Sequence, residues 1–140
     1  MKTRIATMVV IAIVMIQYTA AQSGTKFNSE EKKVAYATRN LISALHSDNN
    51  GVIESAMRMT AQIKMRYPAT DVTELVSIMS KVSTKHPSGA MRYKAYIAVS
   101  VCENPEWYAK DTKVVTADNE KFFHAASDRL QEQLLSANSQ

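Results

Sequence analysis

The sequence predicts an all-α protein of antiparallel helical hairpins closed by a C-terminal capping helix. Three observations carry that prediction. Apolar residues recur at spacings of three and four through five successive segments. Clusters of Ser, Asp, Asn, Gly and Pro separate those segments, and the second pair of segments repeats the apolar pattern of the first. No run alternates with period two over a strand's length; residues 112–116 are the best strand candidate and are short.

The first 21 residues have the three-part layout of a secretory leader. Lys2 and Arg4 form a positive n-region, residues 8–16 are an uncharged apolar run, and Thr19, Ala20 and Ala21 are small residues at a cleavage site. The apolar run is only about half the roughly 20 residues that cross a hydrocarbon core, so cleavage before Gln22 is expected and an uncleaved anchor is the less favoured reading. The expected location is periplasmic or extracellular. No cysteine near the cleavage site offers an acceptor for lipid attachment.

Removing the leader leaves about 119 residues, enough for one modest core. Loss of Lys2 and Arg4 lowers the formal charge from +4 to about +2, so the basic pI of 9.2 owes much to the leader. Lys and Arg do not cluster with aromatics, and nucleic acid is not an expected partner. One cysteine, Cys102, cannot form an internal disulfide, so the fold must rest on packing.

Residues 22–28 carry no period and read as a flexible lead-in. Asn28 with Glu31 has the spacing of a capping box, and Val34, Ala37, Leu41, Ala44 and Leu45 form the stripe of a first helix. Residues 47–51, SDNNG, are a turn signal, since Asp and Asn bond to their own backbone and Gly and Asn tolerate positive φ. Val52, Ala56, Met59, Ile63 and Arg66 mark a second helix, ended by Pro68 because a residue before proline leaves the helical region. Asp71 and Glu74 repeat the capping-box spacing ahead of Leu75, Ile78, Met79 and Val82.

His86, Pro87, Ser88 and Gly89 form the next break. A fourth helix carries Met91, Ala95, Ala98, Val99 and Cys102 and ends at Asn104 and Pro105. Residues 104–117 show no sustained period and read as a loop, with room for a short helical turn. The last helix starts near Asp118 and is expected to bury Phe122, Phe123, Ala126, Leu130 and Leu134.

Leu41, Ile42 and Leu45 match Ile78, Met79 and Val82 at an offset of 37 residues, and Ala56, Met59 and Ile63 match Ala95, Ala98 and Cys102 at 39. This repeat of hairpins 29–67 and 71–104 resembles the HEAT-type helical repeat family, whose units place a polar turn before a second helix with an early Arg. Arg92 in MRYKA matches that position, whereas Ile53 occupies it in the first unit. The resemblance implies a short right-handed solenoid and a protein-binding role. Two units fall short of the three or so that such arrays need, so the last helix is expected to act as the cap.

Candidate chemistry is sparse. Cys102 aligns with Ile63 on a packed face and is expected to be buried rather than nucleophilic. His46, His86 and His124 lack the spacing that sets two imidazoles on one helical face, and a histidine near a helix C-terminus has a plain dipolar reason to be there. No Gly-x-Ser-x-Gly or SxxK setting surrounds any serine. Met57, Met59, Met65, Met79 and Met91 read as core filling.

Glu103, Trp107 and Tyr108 offer a carboxylate and aromatic faces suited to a sugar or peptide groove, although a solvated loop is the simpler account. Arg58, Lys64, Arg66, Arg92 and Lys94 lie on the second and fourth helices, where stacking would give a mildly basic face for an acidic partner or a merely soluble exterior. The leading expectation is an exported, non-catalytic module that binds another protein or serves as a scaffold, with no catalytic residue, cofactor or metal. The alternatives are an extracytoplasmic enzyme or metal- or ligand-binding protein using His46, His86, Cys102 or residues 103–111, and a structural protein tethered to the membrane by an uncleaved leader.

Overall fold

The computed structural model describes residues 29–138, and every regular element among them is helical. The leader, the lead-in and Asn28 of the expected capping pair lie outside the described residues. The helices are α1 (Glu30–Leu45), α2 (Asn50–Arg66), α3 (Thr73–Lys85), α4 (Gly89–Glu103), α5 (Pro105–Tyr108) and α6 (Asn119–Ala137), with a 3₁₀ turn at Thr112–Val114 before α6. The chain divides into the units Met1–Lys33 and Val34–Gln140. Of the first, the description begins at Ser29, whose Oγ accepts from Lys32 N at 3.4 Å, and an exposed pair joins Glu30 to Lys33 at 3.5 Å.

The second unit carries the core. α4 is its central element, packing against α2, α3, α5 and α6; its contacts with α3 and α2 are the most extensive in the fold. Met91, Ala95, Ile97, Ala98, Ser100, Val101 and Cys102 are all buried, so α4 is enclosed over most of its circumference. Alanines on the buried sides of α2 (Ala56, Ala61) and α4 (Ala95, Ala98) keep the side-chain layer thin, which allows close approach of the axes. Met57, Leu75, Met79 and Phe122 have no accessible surface, and each contributes roughly 1.5–3 kcal/mol by leaving water.

Helix termini follow local chemistry. Asn49 Oδ1 caps α2 by accepting from Gly51 N at 2.9 Å and Val52 N at 3.4 Å; Ser88 Oγ caps α4 through Met91 N at 3.3 Å; Asp118 Oδ1 caps α6 through Lys121 N at 3.0 Å. Gly51 serves inside the first turn of α2 rather than at a positive φ, and a Cβ there would stand 3.3 Å from the capping oxygen. Asp71 builds a turn instead of a capping box: its Oδ1 accepts from Thr73 N at 2.9 Å, while Val72 occupies the cap position without a side-chain bond. α2 ends at Arg66, before a non-helical Tyr67 (φ −128°, ψ 76°) that precedes Pro68.

Within residues 104–117, read as a loop with room for a helical turn, Thr112–Val114 is a 3₁₀ turn capped by Asp111, whose Oδ1 accepts from Lys113 N at 2.9 Å. Several expectations need correction. On α2 the buried face is Ile53, Ala56, Met57, Thr60 and Ala61, whereas Val52 and Met59 are more than two-fifths exposed. Thr60 is accommodated there because its hydroxyl donates to Ala56 O at 2.8 Å. Leu134 is exposed, since α6 runs past the last core residue, Leu130. The buried residues of α1 are Leu41 and Leu45 and those of α3 are Leu75 and Met79, whereas Ile78 and Val82 are only partly buried.

Candidate interaction surface

Four of the five basic side chains on α2 and α4 bond within the molecule. Lys64 Nζ donates to Pro68 O at 2.6 Å and Thr70 O at 2.9 Å, closing the turn after α2. Arg92 Nη1 donates to His86 O at 2.6 Å and Pro87 O at 3.0 Å, bracing the turn before its own helix. Lys94 pairs with Glu54 at 3.0 Å and with Glu120, and sits 5.7 Å from the Phe123 ring centroid. Burial would lower the Lys94 pKa, but the hydrogen bonds and charges of both glutamates outweigh it and the net direction is upward. Arg66 lies over the Tyr67 ring at 5.5 Å.

Arg58 anchors the segment before α6 to α2. Its Nε donates to Asn119 Oδ1 at 2.7 Å, and its Nη1 donates to Gln62 Oε1 at 2.8 Å and Thr116 O at 3.3 Å. Gln62 Nε2 then donates to Val114 O at 2.9 Å and Thr116 O at 2.8 Å. Arg58, Lys64, Arg92 and Lys94 therefore act as braces, with Arg58 bonded through Nε and Nη1, whereas Arg66 makes only the ring contact with Tyr67.

Glu103, Trp107 and Tyr108 do not assemble a groove. Tyr108 is fully buried and shares a 3.0 Å hydrogen bond with Ser100, Trp107 packs partly buried against the core, and Glu103 is exposed. Burial raises the Tyr108 pKa, with Ser100 opposing. The Trp107 carbonyl accepts from Arg129 Nε at 2.7 Å, tying α5 to α6.

The reactive candidates stand apart. Cys102 is buried and its thiol is pushed up to about 12, chiefly by desolvation, so the protonated form prevails at neutral pH. Each histidine is held locally: His46 Nδ1 donates to Ile42 O at 2.8 Å, His86 Nδ1 accepts from Ser88 N at 3.1 Å in the turn before α4, and His124 Nδ1 lies 3.1 Å from Asp128. Among the described residues no three His, Cys, Asp or Glu side chains converge to hold a metal, and no helix is long and apolar enough to cross a membrane.

What the fold does expose is a narrow arc of α4. Tyr93 and Tyr96, one turn apart, are 50% and 52% exposed on the helix that buries the most residues, the other exposed positions lying at its ends. Tyr93 Oη bonds Ser127 Oγ at 2.5 Å, fixing the ring at the edge of an open groove of about 880 Å³. Phe123 and Ala125 supply apolar lining; Lys113, Lys121, Glu120 and Asp128 supply a rim of mixed charge. Sequence reasoning missed these residues, although two tyrosines off the Met91–Ala95–Ala98–Cys102 stripe were the available signal. No protein family, curated protein or solved structure matches the chain.

Proposed function

We propose that this chain is an exported, non-catalytic module that binds another protein through the tyrosine-bearing side of α4 and the adjoining groove. The observation that carries this reading is the exposure of Tyr93 and Tyr96 on the most enclosed helix of the fold. Tyrosine gives large contact area with few rotatable bonds and is enriched at protein interfaces, and an apolar floor with a charged rim is the usual interface layout. The fold proposed with it is a short right-handed HEAT-like stack closed by α6; the packing of α3 and of α2 on α4 supports its helix-on-helix part. The positive, apolar and small-residue sections of residues 1–21 support export with cleavage before Gln22.

The test is affinity capture from the native envelope fraction with the wild-type protein and a Tyr93→Ala/Tyr96→Ala variant. A stoichiometric partner lost from the variant supports the surface; a partner retained equally by both rejects it. Intact mass of the captured protein reads the leader directly. A mass that includes residues 1–21 would replace the exported module with a tethered one.

A further inference from the structure

A second concavity, separate from the tyrosine groove in its chemistry, lies between α2 and residues 108–117 and encloses about 430 Å³. That is within the size range of small-molecule sites. Arg58 and Arg66, two turns apart on α2, both line it, together with Met65, Val114 and Val115.

The Arg58 guanidinium is held in place by the bonds from Nε and Nη1 to Asn119, Gln62 and Thr116. Its Nη2 edge makes no hydrogen bond to the described residues, which leaves two oriented N–H donors on a pre-positioned fork. Asp118 is near enough to act on Arg58 electrostatically. Two guanidinium charges set against one carboxylate favour a monoanion over a dianion. The apolar wall of Met65 and Val115, with Val115 77% exposed at the rim, has no role in binding a fully hydrated inorganic ion.

We infer that this cleft binds a small organic monocarboxylate, its charge met by Arg58 and Arg66 and its apolar body laid against Met65 and Val115. The inference is independent of the protein-binding reading, because it does not rest on Tyr93 or Tyr96 and needs no macromolecular partner, although Thr116 lines both concavities.

The experiment is an NMR titration of the protein with octanoate and 3-phenylpropionate, with octanol and inorganic phosphate as controls. The expected result is saturable binding of at least one carboxylate with Kd at or below about 1 mM, and shifts centred on the Arg58 Nε, the Gln62 side-chain amide and the amides of Val115 and Thr116. Arg66→Gln should weaken binding about tenfold through loss of a charge-assisted contact. Val115→Asp, at a position too exposed to disturb the core, should weaken it by a similar factor by placing a like charge on the wall.

Absence of saturable shifts with both carboxylates overturns the proposal. So does octanol binding as tightly as octanoate, phosphate binding as tightly as either carboxylate, shifts centred on Tyr93 and Ser127, or unchanged affinity in both variants.

Discussion

Tyr108 separates a buried structural residue from a surface one. Its ring has no accessible area and its hydroxyl shares a 3.0 Å hydrogen bond with Ser100, which is itself only 8% exposed. Tyr108→Phe keeps the ring and strands the Ser100 hydroxyl, a loss of about 1–2 kcal/mol for one buried hydrogen bond. Tyr108→Ala also empties the ring's volume at the junction of α4, α5 and α6, and large aromatic truncations of that kind cost about 3–5 kcal/mol. Against a total stability of roughly 5–15 kcal/mol for a domain, the alanine variant should be severely weakened and the phenylalanine variant only mildly.

Urea denaturation followed by helical circular dichroism measures both. Ser100→Ala completes a double-mutant cycle, in which the double variant should cost less than the sum of its parts by about 1 kcal/mol, since no hydroxyl is then left alone. An alanine variant weakened by less than about 1 kcal/mol would refute the burial argument. Strict additivity in the cycle would refute the hydrogen bond.

Alkaline pH probes Cys102. Its folded pKa lies above the ordinary 9.0, at about 12, so the unfolded chain gives up the thiol proton first; the associated stability is complete below pH 9 and is lost as pH rises toward 12. The slope should approach about 1.4 kcal/mol per pH unit within that window, and Cys102→Ala should remove this contribution in denaturation curves at stepped pH; an unchanged slope would count against it. Lys94→Met leaves Glu54, whose side chain is 14% exposed, without its cation, and should cost about 1–3 kcal/mol; equal stability in thermal melts would mean that solvent already satisfies Glu54. Deleting residues 118–140 strips Phe122, Phe123, Ala126 and Leu130 from the core and should produce aggregation visible by light scattering. A monomeric, fully helical truncation would show that α6 is dispensable.

The all-helical class and most helix ends were legible because they depend on local chemistry. Asn49, Ser88 and Asp118 cap the helices they precede, and Pro68 closes α2, each through groups within a few residues of one another. Burial was less legible. Met59 and Val52 share a helical spacing with Ala56, yet they point outward, because which side of α2 is covered depends on where α4 lies. The bonds of the charged residues were not legible: Lys64 and Arg92 bond to nearby turns, whereas Arg58 and Lys94 reach partners more than twenty residues away.

By itself the sequence determined that the described chain is helical, where its turns fall, and that Cys102 belongs on a packed face, since hydrogen-bond capping, proline geometry and apolar spacing act over a few residues. Tertiary structure decided that α4 is the central helix, that Tyr108 is buried in the core, and that Tyr93 and Tyr96 remain open to solvent. Those outcomes depend on the enclosure of one helix by α2, α3, α5 and α6, a spatial arrangement to which no single segment's periodicity responds.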